Sequence, residues 1–389
     1  MEVSFKAGEL VGQLYDALLP QYRNPNNSQT LHNLNVLCVR LVFCLYCEDA
    51  GRFGQHDAFH DYLMGFDAAH TRTALIDLFR VLNQPIDERD PYLVPELAAF
   101  PYVNGGLFAD GDVEIPMFTD AIRDVLLDKA SLDFDWSEIS PTIFGAVFES
   151  TLNPETRCKG GMHYTSIENI HKVIDPLFLG DLRRELAEIT EMAVLSKKKA
   201  KLNDFRDKLA DLRFLDPACG SGNFLTETYI SLRRLENEAL KQLSRGQMLL
   251  GMEDIIKVGI GQFYGIEIND FAVTVAKTAL WIAESQMMKE TEDIVMVDLN
   301  FLPLKSNVNI IQGNSLRIDW NEVCPKEELS YIMSNPPFVG ASMMTKEQKQ
   351  ETVDVFGKIK LSNSIDYVGA WYFKALEMMK DTKINVSSI

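Results

Sequence analysis

The chain has 389 residues, 46% of them hydrophobic, with a formal net charge of −18 and six cysteines. That length allows two or three domains with real cores. The acidic balance excludes a chain that grips nucleic acid over its whole surface, because Lys and Arg supply most phosphate affinity.

No run approaches the roughly 18 uncharged apolar residues of a membrane span, and the opening MEVSFKAGEL lacks the apolar stretch of a secretory signal. A cytoplasmic chain with reduced thiols is expected. Residues 1–154 predict an all-helical domain: AGELVGQLYDALL, LNVLCVRLVFCLYCEDAG and ALIDLFRVLNQ each place apolar residues at three- and four-residue spacing. Cys44 and Cys47 read C-x-x-C inside the most apolar of these runs, which favours buried thiols over a redox or metal role. His56 and His60 have i, i+4 spacing with no third ligand near them in sequence, so a surface helix is expected and no metal site. PELAAFPYVNGGLFADGDVEIP is punctuated by Pro and Gly as a loop.

From residue 155 to 389 the texture changes. A long polar helical stretch carries the one dense basic run, Lys197, Lys198, Lys199 and Lys201, read as a solvated face. LRFLDPACGSG is a strand entering a Gly-rich turn, FLTETYISLRRLENEALKQL a helix, QFYGIEI a strand, FAVTVAKTALWIAESQMM a helix, and NVNIIQGN and LSYIMSNPPF two more strands. Such alternation predicts an α/β fold with a doubly wound, mostly parallel sheet.

Three strand ends carry the chemistry. Asp216-Pro217-Ala218-Cys219-Gly220-Ser221-Gly222-Asn223-Phe224 lies between a strand and a helix, where doubly wound folds bind nucleotides. Gly220 and Gly222 let backbone approach a ligand, and Ala218 and Phe224 are further candidate contacts in the same turn. The third glycine of a dinucleotide fingerprint falls on Leu225, and Asp216 would repel a phosphate. A cationic ligand such as S-adenosylmethionine, with its ammonium and sulfonium, suits the turn better. At the next strand end Glu267 could accept from both ribose hydroxyls of an adenosine. It follows Asp216 at more than twice the roughly 20 residues of a minimal unit, which predicts an insertion near 240–260. After the fourth strand, Asn335-Pro336-Pro337-Phe338 offers the Asn335 side-chain oxygen and the Pro336 carbonyl to the two N–H bonds of an aromatic amine. The paired prolines fix the loop, and Phe338 can stack on an extruded base.

In this order, DPACGSGNFL, GIEIND and NPPF resemble the adenine-N6 DNA methyltransferases. Gly161-Met162-His163-Tyr164-Thr165-Ser166, just upstream, matches their gamma arrangement, in which a target-recognition domain comes last. The resemblance implies a class I, Rossmann-like methyltransferase domain with S-adenosylmethionine as cofactor. It implies that Tyr164 and Thr165 hold the methionine end, that Ile268 packs on the cofactor adenine, and that Asn314 meets its edge. It also implies that Asp366-Tyr367 helps shape the target-base pocket. LNVLCVRLVFCLYCEDAGRF, PYVNGGLF and ISPTIFGAVFESTLNPETRCKGGMHYTS resemble fused restriction–modification polypeptides of the type IIL and IIG groups, in which a nuclease, a helical connector, the methyltransferase and a recognition domain follow in one chain.

The expected reaction is direct in-line methyl transfer to N6 of an adenine flipped out of double-stranded DNA, without metal or covalent intermediate. No P-D…E-x-K nuclease constellation precedes the helical region, so cleavage is not expected of this chain; a nuclease would have to come from an N-terminal domain or a partner. KINVSSI reads as a fifth strand, and the recognition domain is expected to lie outside these residues. Cytosine-N4 methylation, action on RNA bases or protein glutamine, and a non-catalytic cofactor- and DNA-binding scaffold remain as alternatives.

Overall fold

The computed structural model describes residues 2–103, 105–152, 165–244, 255–297, 299, 302, 304, 308–357 and 365–388. They fall into two compact units, one drawn from Met1–Tyr164 and Leu299–Asn307, the other from Thr165–Asp298 and Val308–Ile389.

The first unit is helical. Its main helices are α1 (Glu2–Leu18), α2 (Ser28–Asp49), α3 (Ala58–Met64), α4 (Ala68–Leu82) and α5 (Pro141–Leu152). In α1 the buried positions Ala7, Leu10, Val11, Leu14, Tyr15 and Leu18 repeat at helical spacing and so make one stripe. Contrary to the expectation from sequence, one helix, α2, is long and apolar enough by length and composition to cross a membrane, yet 89% of that stretch is buried inside the protein. It is the core helix of its unit, as its charged residues confirm. Buried Arg40 donates to the carbonyls of Leu107 (2.9 Å) and Asp110 (2.8 Å) and lies over the rings of Phe79 and Phe108. Glu48 accepts from the backbone N–H of Phe59 and His60 at the start of α3 and from Ser131. Residue 304 returns to this unit, where its N–H donates to Val103.

His56 and His60 do not share a helix. His56 sits in the turn before α3 and His60 in its first turn, with Asp57 between them at φ +57. The i, i+4 reading fails because a left-handed residue breaks the helix between the two.

The second unit is a five-stranded, all-parallel sheet in the order β3-β2-β1-β4-β5: β1 (Phe214–Asp216), β2 (Phe263–Glu267), β3 (Asn309–Gln312), β4 (Tyr331–Ser334) and β5 (Asn385–Ser388). The three central strands each begin with an aromatic residue. Phe214 stacks on Phe263 (5.2 Å, 7°) and on Tyr331 (5.5 Å, 17°), and both are its partners in register. Cross-strand aromatic pairs of this kind fix register, so the opposite ends of the three strands come out level.

The main helices of this unit are α6 (Ile167–Ile174), α7 (Gly180–Thr190), α8 (Leu195–Asp211), α9 (Asn223–Ser244), α10 (Asp270–Val295), α11 (Lys346–Phe356) and α12 (Gly369–Met379). The polar stretch read as one helix is two, α7 and α8. Its basic run is not one solvated face either: Lys198 is buried and donates to Thr190 O (2.8 Å) and Gln242 Oε1 (3.0 Å), while Lys197, Lys199 and Lys201 are exposed. The four lysines span more than one helical turn, so one of them must face inward.

Candidate active site

The strand order reverses between β1 and β4, because β1 continues to β2 on one side while β4 begins the other half. Ligands of open parallel sheets sit outside the carboxyl ends of the strands at such a switch point. Asp216 ends β1 and Ser334 ends β4, and the two side chains meet there: Ser334 Oγ donates to Asp216 Oδ1 at 2.7 Å. The same oxygen accepts from Ala218 N at 3.1 Å. Asp216 is 1% exposed, and burial pushes its carboxyl up to about 7, opposed by these two hydrogen bonds. Oδ2 has no hydrogen-bond partner among the described residues.

The Gly-rich turn then passes over the end of β2. Gly220, at φ +52, donates its N–H to Glu267 Oε2 (2.9 Å), and no atom lies within 4 Å of where a Cβ would stand, so the turn is open there. Asn269 N donates to Glu267 Oε1 (2.9 Å), so one backbone N–H aims each carboxylate oxygen. Gly222 has a different reason. A Cβ on it would lie 2.9 Å from the Ala276 Cβ, so its bareness serves the contact between the start of α9 and α10. Phe224, expected as a ligand contact, is 3% exposed in the first turn of α9 and belongs to the core. Ile268 is 64% exposed beside Glu267.

The turn after β3 is bonded to the turn after β2 through Gly313 N and Glu267 O (2.8 Å). Asn314, half-buried in it, accepts from Leu316 N (2.9 Å) and donates from Nδ2 to Glu351 Oε1 (2.7 Å). Beyond β4, Asn335 is exposed, Pro336 buried, Pro337 exposed and Phe338 75% exposed. Asn335 Nδ2 donates to Thr165 Oγ1 (3.1 Å). An amide pinned by its nitrogen presents its oxygen on the other side, and that oxygen, like the Pro336 carbonyl, accepts no hydrogen bond among the described residues. The loop is closed from behind: Ala341 N donates to Asp366 Oδ1 (2.7 Å) and Tyr367 N to Val339 O (2.9 Å).

Asp216, Ala218, Gly220, Glu267, Ile268, Asn314, Thr165 and the residues 335–338 therefore gather along one edge of the sheet. Thr165, expected at the methionine end of a cofactor, accepts from Asn335 Nδ2 through its hydroxyl oxygen. Tyr164 and the rest of Gly161–Tyr164 lie outside the described residues. Sequence reasoning missed Ser334, Glu351 and Lys374. Ser334 had a readable signal, a lone hydroxyl closing the apolar strand YIMS; Glu351 sits in the polar run KEQKQETVDVF, where nothing separates a buried Glu from an exposed one.

The expected thiols Cys38, Cys44, Cys47, Cys219 and Cys324 are free and buried; Cys158 lies outside the described residues. In the helical unit Asp49, His56 and Asp57 each bring one donor atom to within 4.8 Å of the others. Asp49 is also bonded to Trp136 N (2.7 Å), and His56 is paired with Asp57 at the surface.

The family model described as "MmeI, DNA-methyltransferase domain" matches residues 192–389, and "MmeI, helicase spacer domain" matches residues 32–108. DNA methyltransferase A of Bacillus subtilis (strain 168) is 37% identical over 393 residues, covering 99% of this chain and 42% of its own length. Among solved structures, the type IIL restriction–modification enzyme MmeI in complex with DNA superposes with a TM-score of 0.85 and 40% identity, covering 98% of this chain and 50% of that one. The chain thus spans about half or less of the length of these relatives.

Proposed function

The chain belongs to the MmeI DNA-methyltransferase family, and on that premise we propose that it transfers a methyl group from S-adenosylmethionine to the N6 amine of adenine in double-stranded DNA, in the cytoplasm, as part of a restriction–modification system. The cofactor reading has a physical basis in the residues present. The carboxylate of buried Asp216 accepts its two hydrogen bonds on Oδ1 and keeps Oδ2 as an acceptor that an ammonium would satisfy, and the turn at Gly220 is open. When bound, S-adenosylmethionine supplies an electrophilic methyl group on a sulfonium. Asp216 would hold its ammonium, Glu267 its ribose hydroxyls, and Ile268 and Asn314 the face and edge of its adenine.

The observation that carries the reading is the orientation of Asn335. Thr165 takes the nitrogen of its amide, so Oδ1 is left as an acceptor, and the adjoining Pro336 carbonyl accepts no bond among the described residues either. An adenine amine is a weak nucleophile because its lone pair is delocalised into the ring. Two fixed acceptors on its two N–H bonds draw the nitrogen toward tetrahedral geometry and localise that pair. Because the acceptors are oriented beforehand, they cost no reorganisation as charge develops. Phe338 offers an exposed ring on which a base turned out of the helix can stack.

Mass spectrometry of nucleosides from DNA incubated with the full-length protein and S-adenosylmethionine tests this. N6-methyladenine is the expected product. N4-methylcytosine would replace the substrate and keep the site, and absence of any methylated base would reject the catalytic reading in favour of a binding scaffold.

A further inference from the structure

We propose that Glu351 is a positioning residue that orients the Asn314 amide, so that the chain selects a 6-amino purine over a 6-oxo purine in its cofactor; this rests on the cofactor reading above. Glu351 is 6% exposed on α11, and four donor atoms from three residues converge on it. Oε1 accepts from Asn314 Nδ2 (2.7 Å), Arg317 Nε (3.1 Å) and Arg317 Nη2 (2.7 Å), and Oε2 accepts from the Tyr367 hydroxyl (2.5 Å). Burial, then Glu351 itself, pushes the Tyr367 hydroxyl up, so it remains a donor.

An ionised carboxylate only accepts, whereas a carboxamide has one donating and one accepting end. Only the NH2 of Asn314 can therefore face Glu351, and its oxygen must point the other way. There Leu316 N occupies one lone pair (2.9 Å), and the second is unfilled among the described residues. The backbone beneath is fastened on two sides. Lys374 Nζ donates to the carbonyls of Ser315 (2.9 Å) and Ile318 (2.5 Å), and Gly313 N is held by Glu267 O (2.8 Å). The result is an acceptor held in the turn next to Glu267, the residue assigned to the ribose. An adenine presents a donating 6-amine to such an acceptor, whereas a 6-oxo purine presents an opposing lone pair.

Calorimetric titration of the 389-residue chain with S-adenosylhomocysteine and with S-inosylhomocysteine tests the idea. The wild type should prefer the first by about tenfold or more, the size of one hydrogen bond. Glu351→Met keeps the side chain's length without an acceptor and should cut the preference to about twofold, since the amide is then free to turn over. Glu351→Gln should retain it, because the Arg317 donors hold the new amide oxygen where Oε1 stood. A folded Glu351→Met protein with its preference intact, or a folded Glu351→Gln protein that has lost it, overturns the proposal. Should Glu351→Met fail to fold, the Glu351→Gln measurement decides alone. If the wild type binds both nucleosides equally, the inference falls while the cofactor reading stands. Binding of neither would remove both.

Discussion

The helical unit and the carboxyl edge of the sheet both take polar groups away from water, and they treat them in opposite ways. In the helical unit the charged groups are committed, although Asn35 Oδ1 and His60 Nε2 are buried without a partner among the described residues. Arg40 is fastened to two loop carbonyls and Arg89 to those of Val81, Gln84, Ala98 and Phe100, while Glu48 is fastened to two N–H groups and a hydroxyl. At the sheet edge Asp216 Oδ2, Asn335 Oδ1 and the Pro336 carbonyl are held in place by neighbours and left with nothing to bind among the described residues. Arg40, Glu48 and Asp216 are buried and cost desolvation, whereas Asn335 is exposed. Only the helical unit returns that cost as stability; at Asp216 it is left to be returned by a ligand.

The contrast breaks most visibly at Asn335. Asn335→Ala should lower methyl transfer by the full-length protein by about a thousandfold, as for loss of one preorganised polar group at a reacting centre. Cofactor affinity, measured by calorimetry, should change little. Near-normal turnover would mean that the free amide oxygen is incidental.

Arg40 tests the other side. Arg40→Met strips the carbonyls of Leu107 and Asp110 of their donor and should destabilise the helical unit by about 2–4 kcal/mol, read as a lower denaturant midpoint. Cofactor affinity should be unchanged, because the committed groups serve the fold. A loss of affinity without a shift in midpoint would erase the distinction.

How much of this could be read beforehand follows the same division. The strand ends were legible because each joins an apolar run to a short polar signature: FLD to the Gly-rich turn, FYGIE to Asn269, YIMS to the NPPF loop. Parallel order followed from alternation, and the aromatic first residues supplied register. Partners distant in sequence were not legible. Thr165 meets Asn335 and Glu351 meets Asn314 only through the fold, and Lys198 looks like its exposed neighbours until α8 packs on α9. Local pattern reports which face of an element is apolar; it does not report which single polar side chain has been turned inward to hold another.

Glu267 sharpens the comparison because it is partly committed. Each carboxylate oxygen takes one backbone N–H, from Gly220 and from Asn269, and each keeps further acceptor capacity. Glu267→Ala should weaken cofactor binding by about 1–3 kcal/mol, the range for a lost charged hydrogen bond. Glu267→Gln should lose less, since one acceptor and the turn contact survive. Equal losses would assign the residue to turn geometry alone.

The pH dependence is the most diagnostic test, because it reads the uncommitted oxygen of Asp216 directly. Burial raises this carboxyl from 3.8 to about 7. Between those values the folded chain holds a proton that the unfolded chain has released, so stability falls as pH rises through the window. Below it both states are protonated and the penalty is absent; above it the penalty is complete. Asp216→Asn should remove this slope from a series of denaturant midpoints between pH 4 and about 7. Ligand binding should run the other way. An ammonium needs the ionised carboxylate, so cofactor affinity should rise by about tenfold per pH unit up to about 6.5 and then level off. Calorimetry in buffers of different ionisation enthalpy should register the proton released. A wild-type affinity flat across that range would mean that the carboxylate meets no cation, and that Asp216, like the arginines of the helical unit, is there to hold the fold.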